Sequence, residues 1–371
     1  MMWRLMVWRP ETWLRIAVVA LGLMTLGASC GQVGIAIMPG VVNNPANRTL
    51  RREIFGFAVG ELCKEMQKRS IPLKLRDADP SIGRFFPTGC GVQQMPNENL
   101  FVQFTGHGYA WTNVTGRMGF SASAAVEYEQ DFLLDGSTMY VYFRQVSTQT
   151  SQFEVKMIER GQGGTLGGVA GMLGTNIQQV SQQIGDRVLQ HQLARGFTVV
   201  RESSGEASFA LGVLDKGATP DAPFGKGDSD WEVLANERTE LHSEQRDFAG
   251  PFHLEDEDDA LWLTAVVEGA PAIDILVVPK PVGDTWIQTY ETQPQATPPP
   301  GTALLDIPLS APVAAPGRPP VPYRQALRLP LGSYYIVFDN TSSAGRSLPT
   351  THALDDRAAL VSYAVQLGDP P

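Results

Sequence analysis

This 371-residue chain has few of the residues that usually reveal a reaction, with only three cysteines (Cys 3) and five histidines (His 5). Basic residues are also in the minority, because 29 lysines and arginines stand against 39 aspartates and glutamates and give a net charge of -10. Proteins that bind nucleic acids through the phosphate backbone need clustered lysine and arginine. We therefore expect no nucleic-acid partner.

Motifs that carry known catalytic chemistry are missing as well. The sequence contains no HExxH zinc motif and no GxSxG nucleophile elbow, and the glycine-rich stretch 161–174 fits neither a GK[ST] loop nor a GxGxxG register. The sequence therefore predicts no catalytic residue, no metal site and no cofactor, and it favours a flexible joint at 161–174. His107, between two glycines in "TGHGYAW", would suit a ligand site, but a loop histidine in a turn is the favoured interpretation.

The first thirty residues have the composition of an export signal. Arg4, Arg9 and Arg15 supply a positive start, and the apolar run "IAVVALGLMTL" occupies positions 16–26. A run of this length matches the core of a secretory signal and is too short to span a hydrocarbon layer about 30 Å thick. We expect residues 1–29 to be a signal peptide.

A cysteine follows this run, after the small residues 27–29. The segment is similar to the signal of bacterial lipoproteins, in which such a cysteine receives a lipid anchor and becomes the first mature residue. The family prefers leucine three positions before the cysteine, where this chain has Gly27 after Leu26. The resemblance implies lipidation of Cys30 and a membrane contact through that anchor. Because Gly31 is not aspartate, the outer membrane of a Gram-negative bacterium is favoured. Ordinary secretion and an uncleaved anchor are the alternatives.

Two cysteines remain if Cys30 carries a lipid. An even number of cysteines in an oxidising compartment predicts a disulfide between Cys63 and Cys90. The alternative is a pair of buried, apolar thiols.

Changes in composition divide the rest of the chain. We predict a tether (30–48), an α+β domain (49–214), a linker (215–230) and a β-sandwich domain (231–371). In the α+β domain, apolar spacing predicts a helix that ends before Pro72, a loop over 76–99, and four or five antiparallel strands over 100–160. Asp135-Gly136 predicts a turn between two of these strands. A second helix follows the glycine-rich joint and ends at Gly196. The predicted fold class is therefore an α+β domain, with a curved antiparallel sheet and two amphipathic helices, followed by an all-β sandwich.

The second helix carries one apolar stripe. Its members, spaced at three or four residues, are the candidate face for an apolar ligand: Ile177, Val180, Ile184 and Val188. The alternative is that they complete a dry core.

Short strands separated by turns predict the sandwich, and one of these predicted strands is "DTWIQTYET" at 284–292. In the predicted strand "SYYIVFDN", alternation places Tyr335 and Val337 on one side and Tyr334, Ile336 and Phe338 on the other. A proline-rich connection over 294–322 interrupts them and is expected at the surface. The acidic run "EDEDD" at 255–259 is rich in the oxygen ligands that Ca²⁺ prefers. Consecutive residues rarely converge on one ion, so a solvated hairpin tip is favoured.

Two family resemblances add to this division. The strand pair "ALWLTAVVEGAPAIDILVV" and the phrase "LPLGSYYIVFDNTSSAG" resemble small β-sandwich domains of the GOLD-like and prepeptidase-like kind. Such modules usually bind or assist rather than catalyse, and this implies an interaction module. The order of elements over 49–214 is similar to that of the tubular lipid-binding (TULIP-like) lipoproteins, which implies a lipid held between a helix and a bent sheet.

Three functional hypotheses follow. The first is a non-enzymatic envelope lipoprotein that binds a lipid or other apolar ligand in its N-terminal domain. The second is a structural or assembly lipoprotein with a dry core and an envelope protein as its partner. The third, an envelope hydrolase, needs at least two of His107, Asp228, Asp230 and the 255–259 carboxylates to meet in one cleft.

Overall fold

The structure is a computed structural model in which the chain is mostly β-structure. It describes residues 42–44, 46–47, 63, 66–112, 115–159, 177–201, 207–225, 231–294, 298, 303–312, 321–349 and 358–370. Cys30, the glycine-rich joint, Asp228 and Asp230 lie outside the described residues, as does most of the first predicted helix. None of the described helices has the length and apolar composition of a membrane-crossing helix.

The N-terminal part forms one curled sheet, in which every strand pairs antiparallel with its neighbours in chain order. Its strands are β1 (Ile71–Pro72), β2 (Gly83–Gln94), β3 (Leu100–Thr112), β4 (Gly116–Asp135), β5 (Thr138–Ile158), β6 (Phe197–Arg201) and β7 (Ala207–Leu211). The β4–β5 pairing shifts register at three places. Because β-bulges bend the strand that carries them, these shifts explain how such long strands curl.

Two sequence expectations are wrong in this sheet. Only three strands lie between Leu100 and Ile158, because β4 and β5 form one long hairpin around the predicted turn at Asp135-Gly136. The predicted loop at 76–99 contains β2. The register of β2 shifts between Pro87 and Gly89, and such a bulge accommodates a proline that would otherwise remove a ladder hydrogen bond.

A helix, α1 (Ile177–Arg195), connects β5 to β6 and covers one face of the curled sheet, called the inner face. It is the second helix predicted from the sequence. Gly196 follows it with a φ of +64°, which a glycine adopts without a Cβ penalty. Leu189 and Leu193 of α1 pack against the apolar side chains of the inner face. Alternate residues of β3, β4 and β5 enter this core.

The C-terminal part is a sandwich of two four-stranded antiparallel sheets, ordered β13-β10-β15-β8 and β12-β11-β14-β9. Its strands are β8 (Glu232–Leu241), β9 (Gln245–Leu254), β10 (Ala260–Glu268), β11 (Ala272–Pro279), β12 (Leu305–Ser310), β13 (Tyr323–Leu327), β14 (Gly332–Asn340) and β15 (Ala359–Gly368). Strand β14 alternates as its sequence predicts: Ile336 and Phe338 enter the sandwich core, whereas Tyr335 and Val337 face the opposite side.

The segment 284–292 is helical, so the predicted strand is wrong. It belongs to α2 (Lys280–Thr292), which has a proline in its first turn. Its buried residues recur at helical spacing: Gly283, Trp286, Ile287, Tyr290 and Glu291. The aromatic and β-branched residues of "TWIQTY" favour a strand by propensity. Burial of one helical face against two sheets outweighs that propensity.

The acidic run also differs from its prediction. Strand β9 belongs to one sheet of the sandwich and β10 to the other, so residues 255–259 connect the two sheets rather than forming a hairpin. The run is solvated as expected, since Glu255, Asp256, Glu257 and Asp258 are exposed.

The predicted disulfide is confirmed, since Cys63 is bonded to Cys90 of β2 with their Cα atoms 5.4 Å apart. Within the predicted tether, Val42 is buried against the inner-face core. The Asn43 amide exchanges two hydrogen bonds of 2.7 Å with the backbone of Leu134 on β4.

Candidate functional site

The outer face of the curled sheet meets the sandwich at a buried contact, here called the junction. Its centre is Arg84 of β2, whose Nε donates to Asp247 Oδ1 at 2.7 Å and whose Nη2 donates to Asp247 Oδ2 at 2.8 Å. Nη2 also donates to Glu237 of β8 at 2.9 Å and to the Tyr363 hydroxyl of β15. One guanidinium from the curled sheet thus binds three strands of the sandwich.

The charges at the junction stabilise one another. Burial alone would lower the pKa of Arg84, but Asp247, Tyr363 and Glu237 outweigh it and hold that pKa well above its usual value. Burial likewise works to raise the pKa of Glu237, yet the charge of Arg84 and the hydrogen bonds from Tyr363 and Arg84 together outweigh it, and the pKa is lowered. Arg84 and Glu237 therefore keep their charges, and the geometry is the paired, hydrogen-bonded one that buried ions require.

A tyrosine completes this polar network. The Tyr109 hydroxyl of β3 donates to Asp247 Oδ1 at 2.8 Å and accepts from the Phe248 backbone N–H at 2.8 Å. Burial and the neighbouring Asp247 raise its pKa well above the usual value. The hydroxyl therefore stays protonated and acts as a fixed hydrogen-bond donor, not as a base.

Helix α2 is the second part of the junction. Tyr290 contacts Tyr109 edge-on with ring centroids 4.9 Å apart, and the Arg117 guanidinium lies 3.9 Å from the Tyr290 ring centre. Arg117 Nη2 donates to the carbonyls of Gln293 and Pro294, at 3.0 and 2.8 Å. A cation at these carbonyls stabilises the C-terminal end of the helix. Arg117 therefore fastens α2 to β4.

The space inside the junction is too small for a substrate. A cavity of about 10 Å³ lies beside Arg117, Trp111 and Tyr290, which is the room that about one water molecule needs. Two nitrogens of Arg117, Nε and Nη1, have no hydrogen-bond partner among the described residues. A single water is the occupant that this volume admits.

His107 lies at the rim of the junction and not in a turn, because it sits within β3. Its Nδ1 is 2.7 and 2.8 Å from the two carboxylate oxygens of Glu291 on α2. The Glu291 side chain is 2% exposed and that of His107 is 33% exposed. The flanking glycines have a packing reason: a Cβ at Gly106 would lie 2.5 Å from the Phe85 ring, and one at Gly108 would lie 2.1 Å from the Arg84 carbonyl.

The Glu291 carboxylate accepts from the His107 Nδ1–H, which orients the imidazole, keeps the proton of the neutral ring on Nδ1 and leaves the lone pair on Nε2, as in general-base sites. A reaction also needs a nucleophile within hydrogen-bond reach of that base. Ser121 is the direct neighbour of His107 across the β3–β4 ladder, but its hydroxyl donates to Glu154 at 3.4 Å. Its contacts in the described structure therefore do not assemble a nucleophile and a base.

Among the described residues, neither the other histidines nor the 255–259 carboxylates converge on His107. In the described part of the chain, no three histidine, cysteine or acidic side chains are placed to hold a metal ion. His242 stacks on Trp111 with centroids 3.5 Å apart, and His253 bonds to Ser333. His191 is exposed on α1. The 255–259 carboxylates lie at the β9–β10 connection and are not among the contacts of His107.

The candidate apolar-ligand residues lie on α1, but the side chains of Ile177, Val180, Ile184 and Val188 are outside the described residues. The described part of α1 rests directly on the sheet. A Cβ at Gly185 would lie 2.0 Å from the Phe153 ring, and Gln182 donates to the Phe153 carbonyl. No ligand layer separates helix and sheet at this point.

The residues that build the junction were missed because no local motif marks them. Arg84 and Asp247 are 163 positions apart, and Arg84 and Tyr363 are 279 apart. The available signal was an arginine beside two phenylalanines in "GRFF" and the charged pair in "QRDFAG" within apolar surroundings. Charged residues in strands of this kind are buried only when they are paired.

No protein-family model matches this chain, and no curated protein matches it.

Proposed function

We propose that the chain is a lipid-anchored protein of the cell envelope, without enzymatic activity, that serves as an assembly module for a protein partner. The observation that carries this proposal is the junction. Because Arg84 binds three sandwich strands and α2 packs on both parts, the outer surfaces of the sheet and the sandwich keep fixed relative positions. Because these surfaces are already fixed, a partner that binds them loses little binding free energy to the ordering of flexible segments.

The contacts of His107 support the non-enzymatic part of the proposal. Its imidazole is engaged by a buried carboxylate and stacks with Phe86 at a centroid distance of 5.6 Å. No hydroxyl or thiol of the described residues bonds to it. The His107–Glu291 pair therefore has a structural role, as a polar contact that holds α2 on β3.

The proposed lipid anchor determines that the protein is located at a membrane of the cell envelope. The support for this anchor is the sequence around Cys30. Metabolic labelling with an alkyne-tagged fatty acid tests it, by comparison of wild type with Cys30→Ala. We expect labelling only in wild type, together with release of the variant from membranes. Labelling that persists in Cys30→Ala would exclude this anchor.

A lipid or other apolar ligand is the second candidate, because α1 covers the apolar inner face of a curled sheet. The direct contact of Gly185 with Phe153 favours the dry alternative. Native mass spectrometry of the chain without residues 1–30 separates the two. We expect the mass of the bare polypeptide, whereas a lipid that survives gentle desolvation in stoichiometric amount would favour the ligand-binding function.

A further inference from the structure

One end of the sandwich carries an open groove of about 430 Å³. It lies where β9 crosses to β10 and where β13 crosses to β14, so both connections pass from one sheet to the other. Leu254 at the end of β9 pairs with Gly332 at the start of β14, which brings the two connections side by side. The groove therefore rests on paired strands. Its volume lies within the range of ordinary ligand sites.

The lining of this groove combines two kinds of side chain. Leu331, which is 48% exposed, and the partly buried Leu329 supply the apolar surface, whereas Leu254 beneath them belongs to the sandwich core. Asp256, Glu257 and Asp259 supply carboxylates. None of these three carboxylates forms an ion pair with any residue that the structure describes. We call this lining the acidic groove.

This lining defines the chemistry of an occupant. Three unpaired carboxylates on one short connection repel one another, and lysine or arginine side chains of an occupant would relieve that repulsion. The exposed Leu331 gains from contact with an apolar side chain. A simple cation satisfies the carboxylates but leaves the leucines in water, whereas a basic and apolar peptide satisfies both.

We propose that the acidic groove binds a segment of a protein partner in which apolar side chains alternate with lysine or arginine. This inference rests on the proposed function, since it names the partner chemistry that an assembly module would recognise. The strand β14, in the phrase that carries the sandwich resemblance, is buried between β11 and β9 and does not offer this surface. In the groove, the exposed Leu331 lies beside carboxylates that form no ion pair with a described residue.

The chain supplies a matched pair of variants. Glu257→Gln/Asp259→Asn removes two charges that line the groove and keeps Asp256, whose Oδ1 accepts from the Asp258 N–H at 3.0 Å. Glu255→Gln/Asp258→Asn removes two charges from the same connection that do not line it. Both variants change the net charge equally, so they separate the groove from general acidity.

The first measurement is fluorescence anisotropy with a labelled Lys-Leu-Lys-Leu-Lys-Leu-Lys peptide. We expect wild type and the Glu255→Gln/Asp258→Asn control to bind it alike. The groove variant should bind about fivefold more weakly, since it loses two exposed ion pairs with the peptide and each such pair contributes little by itself. Leu331→Ala should weaken binding by a similar factor, and a peptide with glutamine for leucine should bind more weakly to wild type.

Three results would overturn the inference: no binding to wild type, equal loss in the two double variants, or equal binding of the leucine and glutamine peptides. Calcium chloride titrated by calorimetry covers the simple-cation case. If wild type binds calcium but not the peptide, and the calcium signal disappears only in the groove variant, the occupant of the groove is a cation and not a peptide.

A native gel of mildly solubilised envelopes distinguishes two negative results: that the acidic groove binds no partner, and that the protein is not an assembly module at all. We expect wild type and the control to migrate in a complex larger than the monomer, and the groove variant to lose it. A complex that persists in the groove variant rejects the groove and keeps the assembly function. Absence of any complex in wild type rejects the assembly function, and the peptide measurement then decides the groove by itself.

Discussion

Arg84 on β2 and Asp247 on β9 form two parallel hydrogen bonds across the junction, of 2.7 and 2.8 Å, and each side chain is only 2% exposed. Because the residues are 163 positions apart, this contact exists only when the curled sheet and the sandwich have both formed. A buried ion pair of this kind makes the stability of one part depend on the presence of the other.

Replacing Arg84 by methionine is expected to destabilise the whole chain. The change leaves the buried Asp247 carboxylate and the partly buried Glu237 carboxylate without their cation, which costs about 3–5 kcal/mol. Urea unfolding followed by tryptophan fluorescence measures it. The control is Arg346→Met, which removes the partly exposed contact with Asp306 and should cost less than about 1 kcal/mol. Similar small losses in both variants would show that the junction does not join the two parts.

Tyr290 should make the protein less stable at alkaline pH. Burial raises its pKa to about 12, whereas an unfolded tyrosine has a pKa of about 10. The folded state therefore holds the proton more tightly, so this contribution is complete below pH 10 and is lost as the pH rises to 12. Each pKa unit corresponds to about 1.4 kcal/mol, so the loss approaches about 3 kcal/mol. Urea unfolding between pH 8 and 12 should show a shallower decline for Tyr290→Phe than for wild type. Parallel declines would contradict this assignment.

Removal of the Cys63–Cys90 bond should lower stability without unfolding the sandwich. The bond closes a loop of 27 positions, which corresponds to about 3.5 kcal/mol on the chain-entropy model. The double variant Cys63→Ser/Cys90→Ser should therefore unfold at lower urea concentration than oxidised wild type. Wild type with dithiothreitol should match the double variant. A midpoint that the reductant leaves unchanged would mean that the bond does not form in the purified protein.

Local sequence signals were sufficient for part of this fold. Alternation predicted the two faces of β14, Asp135-Gly136 predicted the turn between β4 and β5, and Gly196 predicted the end of α1. Each of these depends on a few neighbouring residues. Helix α2 was missed because its composition favours a strand, and its helical spacing gains meaning only from the two surfaces that bury it.

The candidate site was less predictable than the fold. His107 was recognised as unusual, but its partner Glu291 is 184 positions away and was not considered. The pairing of Arg84 with Asp247 likewise depends on the packing of two sheets, which no short stretch encodes. Long-range pairing of charged side chains is decided by tertiary burial, so its sequence signal is only the occurrence of a charge in an apolar strand.

His107→Ala is expected to destabilise the protein by about 1–3 kcal/mol, because it leaves the buried Glu291 carboxylate without its hydrogen-bond donor. Lys156, with its Nζ 4.0 Å from Glu291, compensates only in part. Thermal and urea unfolding measure the loss, with the exposed His253→Ala as the control, which should change stability by less than about 0.5 kcal/mol. If His107→Ala and His253→Ala change the stability equally, His107 does not have the structural role assigned to it.

Gly185→Ala tests whether α1 lies directly on the inner face. Alanine favours an isolated helix over glycine by about 1 kcal/mol, but its Cβ would lie 2.0 Å from the Phe153 ring. Overpacking costs about 1–3 kcal/mol, so we expect a net loss of about 1 kcal/mol in urea unfolding. In a Phe153→Leu background the clash is relieved, and the same change should become stabilising. If Gly185→Ala stabilises the wild-type background instead, helix and sheet are not in contact in solution, and the space between them would be open to an apolar ligand.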